Sequence, residues 1–260
     1  MELNHYRVGS GQPLVLIHGI GSRWQMWEPV IGRLAAQRDV IALDLPGFAA
    51  SPMPPAGTPA GTASLTRLVR GFLDELGLER PHVAGNSLGG LLALELAKQD
   101  RVASATTLSP AGFHNPRELV YQKISLKLTV RGARLLAPRA HRLTASPLVR
   151  TLMYSQVLAR PRLLGAADAA ASAEALAGAP WFDATLDAFT DEPFNGGEQI
   201  QVPVTIGWGA KDRLLLPRQA PRAIRMIPGA RLVMLKGCGH VPTYDDPEQV
   251  ARVLLEGSRN

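Results

Sequence analysis

The chain has 260 residues, 46% of them hydrophobic and 19% charged, which suits one domain with a buried core and is too short for two independent catalytic domains. Its 28 Lys and Arg outnumber its 22 Asp and Glu, but ten basic residues against the single acid Glu118 fall between His114 and Arg162, so the remainder is slightly acidic and a general nucleic-acid-binding role is a poor fit. One cysteine, Cys238, excludes an intramolecular disulfide and a Cys-rich zinc site, and no apolar run reaches the ~18 residues of a membrane span.

Residues Met1 to Val8 lack a charged-then-apolar leader, so the expected compartment is the cytoplasm. Four short runs then predict strands buried on both faces: Leu14–Ile17 before His18-Gly19, Val40–Leu43 before Asp44, His82–Gly85 before Asn86-Ser87, and Val102–Leu108 before Ser109-Pro110. Helical patterns lie between them at Trp27–Arg38, at Ser64–Leu76 with Gly77 as its C-cap, and at Leu88–Lys98; Pro52–Gly61 reads as a loop. This alternation predicts a mostly parallel sheet with helices on both faces. From Ala111 to about Gln199 the rhythm stops, leaving helical patterns broken by Pro138, Pro147, Pro161 and Pro180. Strand signals return at Val202–Trp208 and Arg231–Leu235, and a helix over Pro247–Leu255 follows. The expected organisation is an α/β core over residues 1–110 and 200–260, interrupted by a helical cap over 111–199, an insertion large enough to be functional.

Gly85-Asn86-Ser87-Leu88-Gly89 matches G-x-S-x-G between a strand and a helix, the context in which a sharp turn presents a nucleophilic serine at a helix N-terminus. A serine hydroxyl needs a base. His240, in the loop after the last strand, is the best placed of the six histidines. The base needs an orienting acid, and Asp212 after the penultimate strand completes the order Ser, acid, His; Asp183, Asp187 and Asp191 in the insertion are weaker alternatives, and Asp245 and Asp246 read as acids preceding the last helix. The loop His18-Gly19-Ile20-Gly21 offers the Ile20 N–H, and Leu88 a second N–H, as an oxyanion hole. Cys238 reads as a small buried thiol, and no phosphate loop, metal cluster or dinucleotide fingerprint is present, so no cofactor is expected.

Four motifs together resemble the α/β-hydrolase fold superfamily: His18-Gly19-Ile20-Gly21, Asp44-Leu45-Pro46-Gly47-Phe48, Gly85-Asn86-Ser87-Leu88-Gly89-Gly90, and Gly239-His240-Val241-Pro242 followed by Asp245, Pro247 and Glu248. The resemblance implies an eight-stranded, mostly parallel sheet, a helical lid after the sixth strand, and Ser87, His240 and Asp212 as nucleophile, base and acid. The chain departs from the family at Phe48-Ala49-Ala50-Ser51, where a glycine often follows the phenylalanine. Relatives with an aspartate nucleophile, the haloalkane dehalogenases and epoxide hydrolases, are set apart by Ser87. Hydrolases of ring-cleavage products carry a similar nucleophile motif but tend to place tryptophan after the histidine, where this chain has Val241.

The resulting expectation is a serine esterase or lipase-like enzyme acting on small-molecule esters with an apolar acyl or alcohol part. Carbon–carbon bond hydrolysis and a non-catalytic pocket-binding role are the alternatives. Trp24 and Trp27, after the oxyanion loop, and Trp181, Phe182 and Phe189 in the insertion are candidate pocket walls, with core packing the competing reading. Leu119, Val120, Ile124, Leu128, Leu135 and Leu136 recur at helical spacing among Lys123, Lys127, Arg131 and Arg134. The plain reading is a lid helix with its apolar face on the core and its basic face in water. Sharper readings are weak contact with an anionic membrane surface or attraction of an anionic ester.

Overall fold

The computed structural model describes residues 1–191 and 193–259, the side chains of 190 and 191 excepted. Seven strands form one sheet in the order β1-β3-β2-β4-β5-β6-β7. They are β1 (His5–Gly9), β2 (Pro13–Ile17), β3 (Asp39–Leu43), β4 (His82–Asn86), β5 (Ser104–Leu108), β6 (Val204–Gly209) and β7 (Arg231–Leu235). Only β1 is antiparallel to its neighbour.

Successive strand residues point to opposite faces, and both faces are buried, which is why β2 and β3 read as continuous apolar runs and the polar residues of β4 to β6 are small or hydrogen-bonded. On one face Leu14, Leu16, Val40, Ala42 and Leu108 meet α1 (Glu28–Ala35) through Val30 and Leu34, and α11 (Pro247–Gly257) through Val250 and Leu254. On the other, Val15, Ile17, Ile41, Leu43 and Val83 meet Val69 and Phe72 of α2 (Thr62–Glu75) and Leu91 and Leu92 of α3 (Leu88–Lys98). Beside β7 lies α9 (Ala220–Met226). The helix expected over Trp27–Arg38 is a 3-10 turn over Trp24–Trp27 and then α1, whose second residue is Pro29.

Among the described residues the sheet has seven strands rather than the eight that the resemblance implied. Residues 1–4 form no strand: Leu3 packs into the core and the Asn4 carbonyl accepts from the Asp44 N–H at 2.8 Å, so the chain reaches the sheet only at β1. The helical segment therefore follows the fifth strand, not the sixth. Between β5 and β6 the described residues form no strand but five α-helices: α4 (Pro116–Leu136), α5 (Ala140–Thr144), α6 (Pro147–Tyr154), α7 (Ala166–Ala177) and α8 (Phe182–Asp191).

The orientation expected for α4 is overturned. Val120, Ile124, Leu128 and Leu135 face water, whereas Glu118, Gln122, Val130 and Ala133 are buried. Two contacts set this rotation. Small residues of α4 approach the alanine-rich α7, which buries Ala169, Ala170 and Ala173. Glu118 is held inward by Arg218 at 2.6 Å and by Arg222, and it forms a capping box with Asn115.

Candidate active site

The turn from β4 to α3 sets the geometry. Ser87 has φ +56° and ψ −116°, a strained conformation for a residue with a Cβ, and it starts α3. Its N–H donates to the Leu108 carbonyl at 3.0 Å, and its own carbonyl accepts from the N–H groups of Leu91 and Ala111, each at 3.1 Å, so the strain is held by the chain on three sides. The flanking glycines are steric requirements: a Cβ on Gly85 would lie 2.1 Å from the Gly89 carbonyl oxygen, and one on Gly89 would lie 2.2 Å from that of Ile17.

Asp212, in the loop after β6, accepts from the N–H groups of Leu214 and Leu215 through Oδ1, both at 2.8 Å. Its Oδ2 lies 2.7 Å from Nδ1 of His240. That contact orients the imidazole and favours the tautomer with the proton on Nδ1, leaving Nε2 as an acceptor. All three side chains are buried.

Two further residues, neither assigned to the site from the sequence, hold this loop in place. The Asn86 amide donates to the carbonyls of Leu108 and His240, both at 2.9 Å, and so ties the Ser87 turn to the histidine loop. Asp245 is buried at the end of the short α10 (Pro242–Asp245) and accepts from the N–H of Gly239 at 2.7 Å, of Ala159 at 3.0 Å and of Arg160 at 2.6 Å. It pins the histidine loop to the helical segment, a different role from the helix-start acid expected for it. Asp246 does act in that way, capping α11 by accepting from the Gln249 N–H at 2.9 Å.

The Ile20 N–H after β2 and the Leu88 N–H after β4 have no hydrogen-bond acceptor among the described residues, and Leu88 opens α3, where such groups are orphaned. His18 braces this loop: Nδ1 contacts the Gly19 carbonyl at 2.7 Å, and Nε2 accepts from the Leu45 N–H at 2.9 Å. Burial holds its pKa below 6.5 despite the nearby Asp44. Asp44 Oδ1 accepts from the Trp24 N–H at 2.7 Å, and Oδ2 accepts from the Asn4 amide at 2.6 Å and the Ala50 N–H at 3.2 Å. Ala49 adopts φ +47°, the left-handed conformation that glycine takes freely.

A cavity of about 170 Å³ borders Ser87, His240 and Ile20. The helical segment supplies much of its apolar wall, including Leu126, Met153, Leu164, Leu176 and Phe182. Of the five aromatic wall candidates only Phe182 lines it. Trp27 is buried in the core under α1, its neighbour Met26 turning to the cavity instead. Trp24 stacks on Tyr6 with ring centres 4.7 Å apart. Trp181 and Phe189 are buried in the main core, Trp181 against Gly47. One cationic group, Arg23, borders the cavity, and its Nε is buried without a hydrogen-bond partner. Near it are Tyr154 and Tyr244, whose hydroxyl pKa values burial pushes well up.

Asp183 and Asp187 lie away from the histidine, paired with Arg134 at 2.8 Å and Lys127 at 2.7 Å; the side chain of Asp191 lies outside the described residues. Cys238 is fully buried, and burial, with Asp245 and Asp246 nearby, pushes its thiol up to about 12. Among the described residues no cluster of His, Cys, Asp and Glu could hold a metal ion, and no helix is long and apolar enough to cross a membrane.

The model of the alpha/beta hydrolase family matches residues 14–253. An uncharacterised protein of Mycobacterium tuberculosis is 30% identical over 266 residues, covering 95% of this chain and 75% of that one. The 2-hydroxy-6-oxo-6-phenylhexa-2,4-dienoate hydrolase of Burkholderia cepacia is 26% identical over 98% of this chain and 92% of its own length. Among solved structures, a bacterial membrane phospholipase A superimposes with a TM-score of 0.74 at 25% identity, covering 99% of this chain and 83% of that one. With a family model spanning nearly its whole length and a fold shared with these hydrolases, the chain belongs to the alpha/beta hydrolase family.

Proposed function

We propose that this hydrolase is a serine esterase cleaving carboxylic esters with an apolar acyl or alcohol part. The observation that carries the reading is the 2.7 Å contact of His240 Nδ1 with a buried Asp212, beside a Ser87 held in a strained turn at the wall of a largely apolar cavity. In this mechanism Ser87 Oγ attacks the ester carbonyl and its proton passes to Nε2 of His240. The Ile20 and Leu88 N–H groups stabilise the oxyanion, a contribution of roughly 3–4 kcal/mol each. The tetrahedral intermediate collapses, and the alcohol leaves with the proton from His240. Water then attacks the acyl-enzyme with His240 again as base, returning Ser87 and releasing the acid. Asp212 orients the imidazole and stabilises its charged form. Residues 111–199 serve as the cap that closes the acyl pocket.

A second reading, hydrolysis of a carbon–carbon bond in a carboxylate-bearing vinylogous diketone, is favoured by Arg23 in the cavity wall and by the name of the Burkholderia relative. A chain-length series of p-nitrophenyl esters, assayed beside such a diketone, separates the two. The ester reading expects turnover that grows with acyl length before falling, and covalent labelling by a fluorophosphonate. In Ser87→Ala labelling is lost and kcat falls by about 10⁵-fold or more. Cleavage of the diketone with no ester turnover overturns the choice of substrate; absence of labelling in the native chain overturns the serine mechanism.

A further inference from the structure

The outward face of the helical segment has the wrong polarity for a surface that meets only water. On α4, Val120, Ile124, Leu128 and Leu135 project outward, and Leu148 and Leu152 do so on α6; each is between 56% and 75% exposed. At about 100° per residue the four α4 side chains fall in one arc of about 80°, opposite the buried Gln122, Val130 and Ala133. Exposed large apolar residues gathered in this way mark an interaction surface, whereas scattered ones do not.

The arginines on this face are unpaired among the described residues, whereas Lys127 and Arg134 at its edge are matched by Asp187 and Asp183 of α8. Arg117 and Arg131 share the apolar arc of α4, and Arg139 and Arg142 follow at its C-terminal end. All four are exposed and form no ion pair among the described residues. Glu118, the one acid between His114 and Arg162, is buried and already paired, so no negative charge from that stretch offsets them at the surface.

The cavity lies on the other side of α4: Leu126 and Thr129, which line it, fall about 160° and about 140° round the helix from the centre of the apolar arc. Of the residues that line it, Thr129 on α4 is the exposed one, next in the chain to Leu128. Across from it, Gln156 follows α6 and accepts from the Thr129 hydroxyl at 3.4 Å. Met153 faces the cavity while its neighbour Leu152 faces out.

We propose that this surface docks on an anionic lipid bilayer, with the exposed aliphatic side chains of α4 and α6 at the headgroup–acyl boundary. Interleaved arginine and aliphatic side chains match a layer with negative headgroups above acyl chains. A second copy of the chain is a poorer occupant, because a two-fold contact would set the basic face against itself. Nucleic acid would use the arginines but leave the leucines in water.

The test is co-sedimentation of the whole chain with phosphatidylcholine vesicles containing about a third phosphatidylglycerol, compared with pure phosphatidylcholine. Binding is read without any substrate, so the result stands apart from the ester reading. The expected result is binding to the anionic vesicles, weakened by about 0.5 M salt. The triple variant Ile124→Ser, Leu128→Ser, Leu152→Ser and the triple reversal Arg131→Glu, Arg139→Glu, Arg142→Glu each lower affinity by about tenfold or more. All six positions are solvent-facing or at the helix end, and thermal melts check that the variants stay folded. The proposal is overturned by no binding to anionic vesicles, or by binding that both variants retain. It is also overturned if light scattering shows a dimer that only the serine variant breaks, which would give the face to a second copy.

Discussion

Asn86 shows how a residue can matter for chemistry without touching the reacting atoms. Its amide spans two carbonyls, those of Leu108 and His240, each 2.9 Å away. In the pattern G-x-S-x-G it occupies a free position, and its second partner lies 154 residues downstream, so no local signal announces it. Ser87, Asp212 and His240 were legible because each follows a recognisable strand and their chain order is informative. Asn86 and Asp245 were not, because their work is defined only by which loops the fold brings together. Removing the amide leaves two buried acceptors without this donor, a loss of about 1–3 kcal/mol, and frees the backbone under the histidine. Under the ester mechanism, Asn86→Ala is expected to lower kcat on the preferred p-nitrophenyl ester by about 10–100-fold, with KM changing less, since a small displacement of a catalytic group is enough for that loss. Fluorophosphonate labelling should slow but persist. An unchanged kcat would remove Asn86 from the positioning machinery.

At the scale of elements, the legible strands include the central ones buried on both faces and the edge strand β7, read with its observed bounds Arg231–Leu235. Apolar content identifies β2 and β3, while β4 and β5 mix in polar residues and are marked by the Gly, Asn and Ser at or just after their ends; β1, a half-exposed antiparallel edge, carries little such signal. Helix α4 marks a different limit. The spacing of its apolar residues announces a helix, but the buried face is chosen by partners far along the chain: Glu118 bonds to Arg218 and Arg222, 100 and 104 residues away. Burial alone would push the Glu118 carboxyl up; the Asn115 N–H and the two arginines together hold it below its usual range. Because Arg218 is mostly solvent-exposed, its share is screened, and the capping box and Arg222 carry more of the effect. Glu118→Ala is therefore expected to reduce unfolding free energy by about 2–3 kcal/mol in urea titrations. Glu118→Gln, which can still cap Asn115, should lose less. Equal stability of Glu118→Ala and the native chain would show that α4 is held by its packing on α7 alone.

Across the whole molecule, burial of imidazoles ties stability to pH. His18 under the Ile20 loop, His82 in β4 and His114 at the start of the helical segment all have pKa values lowered from 6.5, in each case chiefly by burial. His82 contacts the Ser104 hydroxyl at 2.8 Å and Gln12 at 3.1 Å, so a second ring proton would face both burial and the Arg38 charge. Below about pH 6.5 the unfolded chain takes up protons that the native chain refuses. Stability is then full above that value and falls as pH drops, by up to about 1.4 kcal/mol per pH unit for each histidine. The lowered carboxyl of Glu118 adds to the loss further down, and the raised carboxyl of Glu28 opposes it in part. Urea unfolding between pH 8 and pH 5 should show no decline at the upper end and a steepening one below about 6.5. His18→Asn can keep an acceptor toward the Leu45 N–H without a titrating group, and its decline should be shallower by about one proton. Stability that stayed flat or rose on acidification over that range would mean that the ring of His18 is protonated in the native state. Its Nε2 could then no longer accept from Leu45, and the bracing of the Ile20 loop described above would be wrong.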